Sequence, residues 1–474
     1  MQPQLWQTKE FCVVLFMRLI VSLMVLLSIG LMACRKANDI TTDKNVKLFF
    51  STDTVFFDTV FTSVGSANKR IKIYNKEQKA VKVSHIKLSG ESGSFFSLII
   101  NGTPANQISD LQIDGNDSIS IYVKVNINPD DQYQPFIVQD SILFNTNGNK
   151  QSVPLVAYGQ NAIFIDNQVI STSSTWNSTL PYIISRSVMV AAGVTLNIKP
   201  GTRVLFHGNA AMNIMGSLKA EGTKDRPVIF ASDRLEPYYS EEPGQWKGIR
   251  FFSSSNSSSI GNTLIKNAIV GITVDSLSLN SSVKLTLSNS IVKNMQAAGL
   301  AGFGTEINAF NNLFYNCGQY LFYAVGGGRY NLKQNTFAGY NYHLPRSTPA
   351  VYFSDISVGY LAGDLSVELV NNIIWGSLAE EILIDKKTGF NVETNVRNNI
   401  LKTLLQHFDD QLNQLNINPL FTNTNVWNFE LQEGSPAFNK GADLSMDPHV
   451  NLLSRDLNNV PRIFPATLGC YEKK

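Results

Sequence analysis

The sequence predicts an all-β protein: an N-terminal β-sandwich, then a stack of strand coils, then a C-terminal cap. Three observations carry that prediction. Residues 47–160 hold short runs that alternate apolar and polar residues. Residues 193–232 pack short strands between glycine-rich turns. A polar pair followed by bulky apolar residues recurs as "NTLIKN", "NSIVKN", "NNLFYN", "NTFAGY", "NNIIWG" and "NNILKT". The 474 residues carry a formal charge of +2 and 43% apolar residues, so a large core can be buried. No basic footprint is present, so no nucleic-acid partner is expected.

The first element is a leader. Met17-Arg18 precede a 15-residue uncharged run, Leu19 to Ala33, that ends in "LMAC". Such a run is too short to span a bilayer, which takes about 20 residues, and has the length of a signal-peptide core. Residues 1–16 fit poorly as an n-region, and Met17 fits better as the start. Small residues before Cys34 resemble the bacterial lipobox. The resemblance implies cleavage after residue 33, a diacylglycerol thioether on Cys34, and membrane attachment through that lipid. Loss of residues 1–33 leaves a near-neutral chain whose remaining cysteines, Cys317 and Cys470, are too few for a disulfide framework. Cys317, inside "NNLFYNCG", reads as a buried small hydrophobe. Residues 34–46 are polar and aperiodic and read as a tether.

The second element is the sandwich, 47–160. The runs "VFFDTVF", "KRIKIYN", "VKVSHIKL", "SISIYVKV", "DSILFNT" and "VPLVAYG" have period two, the mark of half-buried strands, with turn clusters between them. Their order resembles immunoglobulin-like domains of the spindle/hydin and choice-of-anchor type, which implies a spacer or adhesion module.

The third element, 161–415, is the coil stack. The asparagines that open the repeats, Asn262, Asn289, Asn311, Asn335, Asn371 and Asn398, are 27, 22, 24, 36 and 27 residues apart. Periods of this size indicate stacked supersecondary units. Each coil then brings Leu264, Ile291, Leu313, Phe337, Ile373 and Ile400 to one position, where they can form a core column. The preceding asparagine tolerates left-handed backbone and suits a corner, and its amide can join a stacked ladder. These six asparagines are read as structural. The opening stretch "GVTLNIKPGTRVLFHGNAAMNIMGSLKAEG", followed by "GQWKGIRFF", resembles a right-handed parallel β-helix of the pectate-lyase-like superfamily.

The fourth element, 416–474, is the cap. "EGSPAF", Asp456, Pro461-Arg462 and the closing Gly469 to Glu472 resemble the C-terminal end of choice-of-anchor-type β-helix proteins. A solenoid end exposes strand edges and core and needs covering. Asp456, Arg462 and Glu472 are expected to form an ion and hydrogen-bond cluster.

Chemistry is sparse. No acid recurs at the coil period, the five histidines lack ligand spacing, and no CxxC or HExxH is present, so no metal site and no cofactor is expected. Calcium enters only if the protein is a lyase. "GGGRY" (326–330) lacks the strand-then-helix context of a phosphate loop. "HFDDQL" reads as a solvated loop and "AEEILIDKK" as a charged turn around one strand. Two stretches could contact a ligand. "EPYYSEEPGQW" sets Glu241, Glu242 and Trp246 among tyrosines, as sugar binding needs; equally, Trp246 could pack under the next coil. The 36-residue gap holds an insertion, 338–360, with Tyr340, Tyr342, His343, Arg346 and Tyr352 on an irregular stretch, which could be a site or a cover.

The leader, the neutral asparagine-rich composition and the two β-domains resemble surface lipoproteins of Bacteroidota. That resemblance implies an outer-membrane lipoprotein of the cell envelope. Two functions fit. One is a non-catalytic protein binding glycans or a surface protein. The other is a polysaccharide lyase or glycosidase. The lack of a coil-period acid pair favours binding. A groove that gathers two carboxylates with an Arg or Lys would favour catalysis.

Overall fold

The computed structural model describes residues 39–62, 65–128, 136–340, 342, 344–359, 361–409 and 412–473. Cys34, His343 and the leader lie outside them. Among the described residues no helix is long and apolar enough to cross a membrane. The chain forms two compact units that divide at Gly159 and Gln160.

The first unit is a β-sandwich of a six-stranded and a five-stranded sheet. Alternation explains it. In Asp117–Val125 the residues Ile119, Ile121, Val123 and Val125 are buried while their neighbours face outward. They meet Val81, Val83, Ile86 and Leu88 of Ala80–Leu88 in one core. Each such side chain contributes about 1.5–3 kcal/mol on burial. Phe136–Thr146 and Asn149–Gln160 form the longest hairpin. Its turn is Asn147-Gly148, both at positive φ, as a tight hairpin with right-handed twist requires.

The second unit is a parallel β-helix with three faces. The first face is an 11-stranded sheet that includes Val228–Ser232, Thr263–Lys266, Ile291–Met295, Leu313–Cys317, Thr336–Gly339 and Ile373–Gly376. The second and third faces share a 16-stranded sheet, because Ala298–Phe310 and Tyr320–Lys333 run round the corner between them. Every strand pairs in parallel with its equivalent one coil on.

The repeat pair divides its labour. The corner between the third and first faces is held in left-handed backbone by Asn262, Asn289, Asn311, Gln334, Asn371 and Asn398, with φ between 46° and 61°. The next residue makes the ladder. Asn312 Oδ1 accepts from the Ser290 amide at 3.0 Å. Asn335, Asn372, Asn399 and Asn413 repeat the pattern, each Oδ1 accepting from both the backbone and side-chain nitrogens of the preceding rung. The ladder therefore runs one residue later than the sequence placed it at Asn262, Asn289, Asn311, Asn371 and Asn398. Only Asn335 is a rung, because Gln334 fills its corner slot. The core column shifts likewise. Ile265, Val292, Phe314, Phe337, Ile374 and Leu401 line the interior, all fully buried. Leu264, Ile291, Leu313, Ile373 and Ile400 share the outward column with Thr336.

The cap explains why those outward residues are apolar. It lies along the flank of the first face, with Phe421, Phe429, Leu457, Leu468 and Cys470 on Leu313, Ile373, Trp375 and Ile400. The corner asparagines receive it. Asn311 Nδ2 donates to the Leu452 and Arg455 carbonyls, and Asn371 exchanges hydrogen bonds with Ala442. The buried Arg462 guanidinium reaches Asn311, Gly469 and Glu472, and Asp456 accepts from the Glu472 amide. Burial pushes the Cys317 and Cys470 thiols up to about 12, as expected of packing groups.

Candidate functional site

The residues singled out for ligand contact lie mostly in structural positions. Trp246 is fully buried: its ring stacks on Phe206 at 4.0 Å and its Nε1 donates to the Lys266 carbonyl. It packs beneath the next coil and cannot meet a sugar. Arg346 is also interior. Its guanidinium grips both oxygens of the buried Glu381 at 2.7 and 2.9 Å and donates to the Gly339 carbonyl. It ties residues 346–348 to Gly339 and Glu381 of the coil. Glu241 bridges Lys266 and Lys293 at 2.8 and 2.6 Å and accepts from Asn294. Burial raises its pKa, but the two lysines outweigh that, so the carboxyl sits below its ordinary value. Glu242 is exposed, and its carbonyl accepts from Asn267. Tyr340 stacks on Tyr342 and Phe429, and Tyr342 closes on Trp427 and Thr424. These two tyrosines thus border the cap.

The second face differs. Among the described residues it carries no cover comparable to the cap, and its outward column is Thr273, Ala301, Tyr323, Tyr352 and Leu383 in successive coils. Tyr323 and Tyr352 stack at 5.7 Å and 14°, Tyr320 leans on Tyr323 at 4.6 Å, and Phe303 meets Tyr323 edge-on. All four rings are half-buried, so part of each stays open to solvent. Tyr352 donates to Asp385, which also pairs with Lys387 at 2.9 Å. Burial raises the phenol pKa of Tyr320, Tyr323 and Tyr352, so all three hydroxyls are donors at neutral pH.

Where this face turns into the third, a cleft of about 520 Å³ opens. Gly304, Gly326 and Gly328 line it, and these three and Gly327 are all at positive φ. A Cβ on Gly326 would lie 2.9 Å from Leu361, and one on Gly327 2.4 Å from the Gly363 carbonyl. Glycine is required there for the 361–364 segment to lie so close. Arg329, Asp364, Asn391 and Glu393 supply the polar wall. Arg329 pairs with Glu306 at 2.5 Å, while Asp364 accepts from the Asn391 amide and Glu393 from its side chain. The cleft does gather two carboxylates with an arginine, the condition that favours catalysis, although each carboxylate is already engaged by a donor. Among the described residues no group of three His, Cys, Asp or Glu side chains is placed to hold a metal ion.

Sequence reasoning named Tyr352 and the glycine run but did not join them. Tyr320, Tyr323, Arg329, Asp364 and Glu393 were missed. The signal for them is the strand register, which places Tyr352 beside Tyr323 across 28 intervening residues.

Comparison with known proteins follows this geometry. Protein bark beetle of Drosophila melanogaster is 30% identical over 106 residues, 21% of this chain and 3% of that protein. The match thus spans a small fraction of that protein's length. Among solved structures, the ASH / PapD-like domain of human CEP192 is 11% identical, with 26% of this chain and 92% of that chain covered and a TM-score of 0.18. The E. coli chaperone DraB is 10% identical, with 26% and 57% covered and a TM-score of 0.18. Residues 238–337 match the family model of a right handed beta helix region, and the parallel coils continue that architecture on both sides.

Proposed function

We propose that this is a lipid-anchored protein of the bacterial cell envelope, of Bacteroidota type, whose β-helix binds a glycan without turning it over. The single observation that carries the binding site is the open aromatic cluster Phe303, Tyr320, Tyr323 and Tyr352 beside the glycine-lined cleft. Aromatic rings and phenol donors on a rigid sheet suit a sugar's C–H faces and hydroxyls. The lipid anchor rests on "LMAC" at residues 31–34, with attachment at the outer membrane, and the sandwich serves as an immunoglobulin-like spacer. The cleft's Arg329, Asp364 and Glu393 favour a second reading, a polysaccharide lyase or glycosidase. Engagement of both carboxylates by Asn391 supports the first.

The test is a panel of neutral and uronate-containing polysaccharides, with and without calcium, read for retention, ultraviolet-absorbing unsaturated uronates and new reducing ends. The binding reading expects retention that Tyr323→Ala weakens, with no product. Product abolished by Glu393→Gln would establish catalysis instead. Mass spectrometry of the mature N-terminus checks the anchor: a diacylglyceryl Cys34 is expected, and an unmodified chain cut elsewhere would overturn it.

A further inference from the structure

Resting on the binding reading above, we infer that this face takes a glycan free of acidic groups and discriminates against uronates. Several cations on the second and third faces are held in ion pairs. Arg250 pairs with Asp275 at 2.8 Å, Arg329 with Glu306 at 2.5 Å, and Lys387 with Asp385 at 2.9 Å. Lys333 is held between Asp447 and Glu368 beneath the cap. At the cleft the balance is negative. Arg329 stands against Glu306, Asp364 and Glu393, one positive charge and three negative, for a formal −2.

A chain lying on Tyr323 and Tyr352 and running into the cleft would bring any uronate carboxylate up to that field. Like charges at such range near a surface weaken binding by roughly tenfold per group at low salt. Added salt screens the effect, since the Debye length falls from about 10 Å at 0.1 M to about 3 Å at 1 M. Tyrosine hydroxyls and the Asn391 side chain remain to meet neutral hydroxyls, and the free lobes of Asp364 and Glu393 can accept from hydroxyl or ammonium donors. The same charge pattern weighs against a lyase, whose substrate must carry a uronate.

The experiment is affinity electrophoresis of the purified chain through a neutral β-glucan, mannan, chitosan and polygalacturonate, at low and high salt, with and without calcium. Retention on a neutral glycan or on chitosan is expected, with polygalacturonate at least about tenfold weaker at low salt. The double variant Asp364→Asn, Glu393→Gln is expected to narrow that gap, read as the ratio of neutral-glycan to polygalacturonate retention. Tighter retention on polygalacturonate, with or without calcium, would overturn the inference while leaving glycan binding intact. An unchanged gap in the double variant would overturn the role of the cleft. Retention on none of the four would overturn the binding reading itself, and this inference with it.

Discussion

The first and second faces of the β-helix are built from the same coils but are finished in opposite ways. On the first, outward positions hold Leu313, Ile373, Trp375 and Ile400, and the C-terminal cap lies over them. On the second, outward positions hold tyrosines and paired ions, and the rings stay half-open. A solenoid strand offers side chains to both sides by alternation, so each outward face needs either a cover or a use. The difference teaches where to look. Residues under the cap hold the fold together, and residues on the open face carry the proposed binding.

The largest effect that could break this comparison belongs to the interior. Ile374→Asp puts an unpaired charge among fully buried side chains, so a loss above about 4 kcal/mol and failure to fold are expected. Circular dichroism and thermal unfolding would show it. Next come the two members of one asparagine pair. Asn372→Ala removes a rung that joins Asn335, Asn399 and the Leu332 carbonyl, all buried. It should cost about 3 kcal/mol, because several donors and acceptors lose partners away from water. Asn371→Ala removes the contacts with Ala442 and leaves alanine in a left-handed corner that asparagine tolerates better, so about 1–2 kcal/mol is expected. Equal losses in chemical denaturation would mean that ladder and corner are not separate.

Smaller still is the pH-dependent latch at Glu241. Its folded pKa lies below the unfolded value, chiefly because Lys266 and Lys293 outweigh the effect of burial. Its contribution is therefore complete above the unfolded pKa and fades as pH falls through the folded one. Glu241→Gln should lower the melting temperature slightly at neutral pH, by less than about 1 kcal/mol for so exposed a pair, and the difference should vanish in acid. A difference that grows in acid would assign the carboxyl another role.

The coils were legible because the polar pair is local: six residues show a corner, a rung and the start of a strand. What the pair could not show was which asparagine did which job. Gln334-Asn335 exposes the ambiguity, since the corner there is filled by glutamine and the motif reads one residue out of step. The cap's residues were legible as a segment but not as a flank cover, because its partners are far away in sequence, 151 positions between Arg462 and Asn311 and 234 between Asn458 and Lys224. Trp246 and Arg346 looked like contact residues because aromatic and guanidinium groups serve binding and packing alike. Only burial separates the two uses. The open cluster was illegible for a related reason: Phe303, Tyr323 and Tyr352 meet only when the lengths of two coils are known.

The claim that the open second face, and not the covered first, is the binding surface is tested most directly by paired measurements on two tyrosine variants. Tyr323→Ala should keep the wild-type melting temperature within about 1 kcal/mol of stability, as a half-exposed site allows, and should lose most glycan retention. Tyr342→Ala, at the margin of the cap, should keep retention. Retention lost in Tyr342→Ala and kept in Tyr323→Ala would contradict the account and move the site to the flank of the cap.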